Sequence, residues 1–101
     1  MLTHLLLFKL RPETPEAALK GIVSKFAECK ARVDGFTELH AGPNVSPKNL
    51  GRGYKFAVVM TFTDQSALDE YNVLEEHREA QKLQEPWVEE VLVFDIESEQ
   101  R

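Results

Sequence analysis

The chain has 101 residues, of which 43% are hydrophobic and 29% are charged. This length and balance are typical of one globular domain and exclude a disordered or collagen-like chain, so we expect residues 1–101 to form a single domain. Seventeen acidic residues against twelve basic residues give a net charge of -5, and the basic residues do not cluster. We therefore expect no binding to nucleic acid and none to anionic membranes.

The only cysteine is Cys29, so the chain cannot form an internal disulfide. The apolar run from Leu2 to Phe8 lacks the charged start, the length and the cleavage site of a signal peptide. The same run is too short to cross a bilayer. These features favour a reducing, cytoplasmic location.

The first half of the chain predicts a strand, a helix and a second strand. Leu2 to Leu10 alternate with a period of two, which is typical of a strand. Thr14 is a candidate N-cap, and Pro15 suits the first position of the helix that follows. The apolar stripe of this helix recurs at spacings of four and three, and Asp34-Gly35 is its predicted end; the stripe consists of Ile22, Phe26, Cys29 and Val33. A second strand is predicted from Phe36 to Ala41.

The second half predicts two strands separated by helical segments. Gly42 to Gly53 is rich in glycine and proline and is predicted to be a loop. Tyr54 to Phe62 shows the clearest alternation in the sequence. Thr63 or Asp64 caps a short helix that carries Tyr71, and a further helix runs from about Glu75 to Gln84. Pro86 ends that helix, and alternation from Val88 to Ile96 predicts the last strand.

Four strands with helical connections in this order predict an α+β fold, the ferredoxin-like β-α-β-β-α-β arrangement. Its four-stranded antiparallel sheet carries the helices on one face. The strands also place apolar residues on the other face, Leu5 and Leu7 among them. Water would meet this apolar face unless something covers it, so we expect it to pack against a second copy of the chain as a homodimer.

Several dispersed landmarks resemble the stress-responsive dimeric α/β-barrel (Dabb) family over essentially the whole chain. They are His4, the Gly42-x-Asn44-x-Ser46 loop, Gly53-Tyr54, Tyr71, His77 and Phe94-Asp95. The resemblance implies a dimeric α/β barrel with two sheets face to face, and a small pocket between helices and sheet in each monomer. The family includes proteins without assigned chemistry, the plant polyketide cyclase olivetolic acid cyclase and a plant hydroxynitrile lyase, so the fold alone does not define a reaction.

His77 and Tyr71 are the candidate catalytic residues. An imidazole with a pKa of ~6.5 exchanges protons near neutrality. On one unbroken helix the two residues would project about 120° apart, so they share a pocket only if the helix breaks near residues 72–74. The resemblance implies that His77 removes a proton next to a carbonyl and that Tyr71 stabilises the enolate oxygen. In the alternative interpretation His77 is a surface residue and Tyr71 a core aromatic.

Further side chains are candidates for contact with a ligand. The residues proposed to bind a ligand are His4, Leu6, Ile22, Phe26 and Val59. His4 is equally compatible with a hydrogen-bonded histidine at a strand end, and a helical stripe such as Ile22 and Phe26 is more often plain core. The three histidines form no metal-ligand motif, and the chain has no phosphate-binding loop and no nucleophile elbow. We therefore expect no metal and no cofactor.

The sequence thus favours a homodimer whose pocket binds a small apolar carbonyl or phenolic compound. This binding dimer is the leading hypothesis, and acid/base chemistry of the cyclase or lyase type at His77 and Tyr71 is an activity that its pocket could support. One alternative is a stress-responsive or ligand-binding dimer without enzymatic activity. Another is a cofactor-free monooxygenase of the antibiotic-biosynthesis type, which shares the barrel. The sequence departs from the cyclase pattern at residues 74–77, where Leu-Glu-Glu-His replaces His-Pro-x-His. It also departs in the first helix, where the cyclase has aromatic residues that include a tyrosine and this chain has Ile22, Val23 and Phe26.

Overall fold

A computed structural model of the chain describes residues 1–99. It contains four strands and three helices: β1 (Leu2–Leu10), α1 (Glu16–Arg32), β2 (Phe36–Pro43), β3 (Tyr54–Phe62), α2 (Gln65–Asn72), α3 (Glu75–Gln84) and β4 (Val88–Glu97). The strands form one sheet in the order β2-β3-β1-β4. All three neighbouring pairs are antiparallel. The predicted α+β, ferredoxin-like β-α-β-β-α-β fold is confirmed, with its second helical connection divided into α2 and α3.

The core lies between the sheet and the helices. In β1 the buried residues alternate with half-buried ones, so that His4, Leu6 and Phe8 face the helices. On β3 the residues Val58 and Met60 face the same way and are completely buried. The apolar stripe predicted for α1 faces the sheet and completes the core. All of its members are buried; they are Ile22, Phe26, Cys29 and Val33.

The caps of the helices were predicted correctly in one case and wrongly in another. Asp64 caps α2, since its Oδ1 accepts a hydrogen bond of 2.9 Å from the amide of Ala67. The expected N-cap of α1 at Thr14 is wrong, because α1 begins at Glu16 with the extended residue Pro15 as its N-cap. The hydroxyl of Thr14 instead donates to the carbonyl of Arg11 at 2.6 Å.

Strand β2 is longer than the sequence predicted. Gly42 and Pro43 continue the ladder and oppose Ala57 and Phe56, whereas the strand was expected to end at Ala41. Because β2 lies at the edge of the sheet, Pro43 can occupy the end of the strand without removing a ladder hydrogen bond.

The other face of the sheet, which we call the outer face, is apolar and carries no helix. In the strand register Leu5 lies between Val59 and Phe94, and Leu7 lies between Ala57 and Leu92. Phe94 is 55% exposed. Leu92 and Ile96, on the same side of β4, are exposed as well. The exposed apolar surface of the outer face is therefore greatest along β4. None of the helices in the described part of the chain has the length and apolar character needed to cross a membrane.

Candidate functional site

The connection between α2 and α3 brings the two candidate catalytic residues together. Helix α2 ends at Asn72, Leu74 has an extended backbone, and α3 starts at Glu75. This is the break that the spacing of Tyr71 and His77 required. Their ring centroids are 4.6 Å apart.

Ion pairs hold α3, which carries His77, against α1. Lys25 reaches Glu79 at 3.4 Å, and Arg32 reaches Glu76 at 3.0 Å. These four side chains range from half-buried to exposed, and an ion pair that water can reach contributes little to stability. They connect α3 to α1 at two positions.

Tyr71 is completely buried, and its hydroxyl has no hydrogen-bond partner among residues 1–99. Its ring packs among aromatic side chains, with centroid distances of 5.4 Å to Phe62 and 5.8 Å to Phe36. Burial raises the pKa of the Tyr71 hydroxyl above its ordinary value, since the phenolate would lose its hydration. The group is therefore a protonated donor that faces no acceptor.

His77 is half-buried, and burial lowers the pKa of its imidazole below the ordinary value of 6.5. A contact with the backbone of Asn72 acts in the opposite direction, and the charge that His4 can carry lowers the pKa of His77 further. His77 is consequently neutral at physiological pH, with one ring nitrogen able to accept a proton.

His4 also lies close to Tyr71, at a distance of 5.9 Å between the ring centroids. It is paired across the sheet with Asp95, and the two side chains point toward the helices. His4 Nδ1 is 2.5 Å from Asp95 Oδ1. Tyr71 is thus flanked by two imidazoles, one of them in contact with a carboxylate.

These polar groups line a cavity of about 410 Å³ between the sheet and helices α2 and α3. Its apolar walls are Leu6, Phe26, Leu68, Val91 and Val93. Its polar lining consists of His4, Tyr71, Asn72, His77, Gln81, Gln84 and Asp95. No lysine or arginine belongs to this lining. The cavity therefore suits a small and largely apolar molecule with one or two polar atoms.

A larger groove of about 680 Å³ lies between α1 and β2. It is mainly apolar, and its charged lining residues, Glu16 and Lys20, are exposed. Because no buried polar side chain faces this groove, the smaller cavity is the better candidate for chemistry.

Most residues that the sequence singled out meet at this cavity. His4, Leu6, Phe26, Tyr71 and His77 all line it. Which of them contact a ligand stays a prediction.

Two of the residues proposed to bind a ligand, Val59 and Ile22, do not line this cavity. Val59 lies on the outer face opposite Leu5 and His40, because residues of odd number on β3 point away from the helices. Ile22 is completely buried in the core and does not reach the cavity. His40 is a surface residue, and its Nε2 lies 3.2 Å from Oε2 of Glu38.

Four polar residues of the cavity were not identified from the sequence as site residues; they are Asn72, Gln81, Gln84 and Asp95. Asp95 entered only as part of a family landmark, since nothing local indicates that it faces His4, which is 91 positions away. Gln81 and Gln84 follow His77 on α3 at spacings of four and seven. That spacing places the three residues on one side of a helix, so it could have indicated them.

Metal ligands do not cluster in the described residues. Within residues 1–99 no group of three or more His, Cys, Asp or Glu side chains is arranged to hold a metal ion. Cys29 is buried, and burial raises the pKa of its thiol to about 11. It is therefore an unreactive core residue.

Comparison with known proteins defines the family. The profile of the stress-responsive A/B barrel domain, called Dabb, matches residues 2–98. The chain belongs to the Dabb family. The resemblance inferred from the dispersed landmarks is thereby confirmed. No curated protein sequence matches the chain.

Solved structures agree with the Dabb fold. A dimeric ferredoxin-like protein of unknown function from Jannaschia sp. CCS1 superposes with a TM-score of 0.87 at 26% identity, over 96% of this chain and 98% of that chain. A protein from Arabidopsis thaliana superposes with a TM-score of 0.86 at 23% identity, over 100% of this chain and 98% of that chain. The hydroxynitrile lyase of Passiflora edulis superposes with a TM-score of 0.80 at 14% identity, over 94% of this chain and 90% of that chain. The same Dabb-like backbone therefore occurs in a lyase and in proteins without assigned activity.

Proposed function

We propose that this Dabb protein is a homodimer that binds a small carbonyl or phenolic compound between its sheet and helices α2 and α3. His77 acts there as a general base, and the Tyr71 hydroxyl donates a hydrogen bond to the oxygen of the ligand. The observation that carries the proposal is the Tyr71 hydroxyl, which is buried and has no partner among residues 1–99.

A buried and unpaired hydroxyl is a reason to expect a ligand. Leaving such a group unpaired costs about 1–3 kcal/mol, so nearly all buried hydroxyls in folded proteins have a partner. A carbonyl or phenolate oxygen in the cavity would supply that partner. Because Tyr71 stays protonated, its O–H is available to donate to an acceptor oxygen.

The neighbouring His77 supports proton transfer at the same ligand. A ligand whose carbonyl oxygen accepts from Tyr71 would lie close to the His77 ring, since the centroids of the two rings are 4.6 Å apart. His77 takes a proton from this carbon, the electron pair of the C–H bond becomes the enolate, and the Tyr71 O–H stabilises the charge that forms on oxygen. The lowered pKa of His77 keeps the base neutral for this step.

The outer face supports the homodimer. Its apolar side chains include Phe94, of which 55% is exposed, and Ile96, of which 44% is exposed. A contiguous apolar face of this kind is rare on a monomer. The related protein from Jannaschia sp. CCS1 is described as dimeric. A twofold copy of the sheet would cover the face with its own equivalent.

Proton exchange tests the proposal without knowledge of the natural substrate. Acetophenone carries a carbonyl next to a methyl group, and a general base exchanges the methyl protons with deuterium from D2O. We expect the protein to bind acetophenone and to accelerate this exchange, as followed by the loss of the methyl proton signal. His77→Ala should abolish the acceleration, and Tyr71→Phe should weaken both binding and exchange. His40→Ala removes an exposed histidine and is the matched control.

The cavity also supports a second candidate function, which is ligand binding without turnover. Its wall on β4 is open, since Val91 is 39% and Val93 is 56% exposed. Enolate chemistry benefits from the exclusion of water, whereas binding tolerates an open wall. Binding of acetophenone without accelerated exchange would favour this function, and absence of binding would contradict both.

A further inference from the structure

The pair formed by His4 and Asp95 is a polar feature of the cavity that the roles of His77 and Tyr71 leave unexplained. Asp95 lies directly opposite His4 in the register of β1 and β4. The side chain of His4 is 9% exposed and that of Asp95 is 44% exposed. The contact therefore joins a buried ring to a carboxylate at the edge of the cavity.

This contact determines which nitrogen of His4 carries the hydrogen. A carboxylate oxygen accepts hydrogen bonds, and Asp95 Oδ1 lies 2.5 Å from Nδ1, so Nδ1 is the donor. In a neutral imidazole the other nitrogen, Nε2, then has a free lone pair. Among residues 1–99 no protein group makes a hydrogen bond to Nε2.

The cavity consequently presents one unpaired donor and one unpaired acceptor on neighbouring rings. The donor is the Tyr71 hydroxyl, and the acceptor is His4 Nε2, with ring centroids 5.9 Å apart. A ligand with only a carbonyl group would pair with the donor and leave the acceptor unused. A ligand that also carries a hydroxyl group would pair with both.

We propose that Asp95 is a positioning residue that holds His4 as a hydrogen-bond acceptor, and that the cavity takes compounds with a hydroxyl group close to a carbonyl group. This inference rests on the function proposed above and specifies its substrate class. The carbonyl oxygen accepts from Tyr71, and the hydroxyl donates to His4 Nε2. When the hydroxyl proton moves to Nε2, the electron pair of the O–H bond stays on oxygen, and Asp95 stabilises the imidazolium that forms.

The charges around the two histidines agree with this division of roles. An imidazolium at His4 faces the carboxylate of Asp95. His77 has no carboxylate within ion-pair distance among the described residues, and it lies close enough to His4 to be affected by its charge. His4 is thus the histidine that contacts a carboxylate, while His77 stays neutral as the base.

The tautomer of His4 is measurable by NMR of the imidazole nitrogens in the full chain labelled with 15N. We expect a protonated Nδ1 and an unprotonated Nε2 in the wild-type protein. Asp95→Asn should remove this single tautomer, because an amide can donate as well as accept. Glu89→Gln, which removes the same charge from an exposed position of β4, should leave it unchanged. A hydrogen on Nε2 in the wild-type protein, or an unchanged tautomer in Asp95→Asn, would overturn the role of Asp95.

Three probes of matched size test the substrate class. Phenacyl alcohol carries the hydroxyl next to the carbonyl, acetophenone has the carbonyl alone, and phenethyl alcohol has the hydroxyl alone. We expect phenacyl alcohol to bind about tenfold more tightly than acetophenone, which corresponds to one additional hydrogen bond. Asp95→Asn should remove this advantage, whereas Glu89→Gln, at an exposed position of β4, should keep it.

The outcomes separate the inference from the proposed function. Equal affinities for phenacyl alcohol and acetophenone, both weakened by Tyr71→Phe, would overturn the inference and leave the proposed function intact. If none of the three probes binds, the proposed function fails and the substrate class fails with it.

Discussion

Replacing Tyr71 by phenylalanine should make the protein without ligand more stable and a worse binder. The hydroxyl is the only part of the side chain that changes, and the aromatic packing with Phe36, Phe62 and His77 is kept. Because the hydroxyl is buried without a partner among residues 1–99, its removal relieves a desolvation penalty of about 1–3 kcal/mol.

This penalty corresponds to a measurable shift in the melting temperature. For a domain of this size 1 kcal/mol changes Tm by about 4–8 °C, so Tyr71→Phe should raise it by at least several degrees. Urea unfolding followed by circular dichroism gives the free energy of unfolding directly. Both proteins are compared at one protein concentration, since association contributes to the apparent stability of a dimer.

The matched control is Tyr54→Phe. The Tyr54 hydroxyl donates to Glu90 at 2.7 Å on the exposed surface. Its loss should lower stability slightly, in the opposite direction to Tyr71→Phe. A fall in stability of about 1 kcal/mol or more in Tyr71→Phe would show that its hydroxyl already has a partner in the free protein, and it would refute the reasoning.

Further predictions concern the interface, the pH dependence and the packing of two glycines. Phe94→Asp should convert the dimer into a monomer in light scattering, because the interface would have to bury an unpaired carboxylate. The free energy of unfolding should fall as the pH decreases from about 6.5 through the lower pKa of folded His77, because the unfolded state binds the proton more tightly. His77→Gln should flatten this part of the pH profile. Gly35→Ala should cost about 1–3 kcal/mol in urea unfolding, since a new Cβ would lie 2.5 Å from the Cβ of Ala67. Gly21→Ala, in the interior of α1 with no atom within 4 Å of the new Cβ, should stabilise by about 0.5–1 kcal/mol.

Each of these expectations has a result that contradicts it. Val73→Asp is the control for the dimer. Val73 is an apolar residue that is 78% exposed, but it lies between α2 and α3 and not on the sheet. If Phe94→Asp stays dimeric, or Val73→Asp also dissociates, the outer face is not the interface. An unchanged pH profile in His77→Gln would mean that His77 is not buried in its neutral form. Equal effects at Gly35 and Gly21 would mean that the packing around Gly35 is looser than described.

The fold was predictable because the local signals and the tertiary structure agree. Alternation along β1 and β3 identified the strands and their buried side, and the apolar stripe of α1 identified its core face. Errors occurred where a local rule competes with a specific contact. Thr14 has the chemistry of an N-cap, but its hydroxyl bonds to Arg11. Gly42 and Pro43 resemble a break, but at an edge strand they continue the ladder.

The candidate site was predictable only in part, because its residues come from distant elements. Tyr71 and His77 were within reach of sequence reasoning, since a break between α2 and α3 was the one condition for their meeting. The pairing of His4 with Asp95 depends on the register of β1 and β4, which no local pattern reveals. Val59 was assigned to the cavity although it has the opposite parity to Val58, which faces the helices.

The central claim is that the buried hydroxyl of Tyr71 is the donor for a ligand oxygen. A crystal structure of the protein soaked with acetophenone tests it most directly. We predict the carbonyl oxygen at about 2.7–2.8 Å from the Tyr71 hydroxyl, with the methyl group toward His77. Acetophenone bound elsewhere, for example in the groove between α1 and β2, with the Tyr71 hydroxyl paired to a protein group, would contradict the claim.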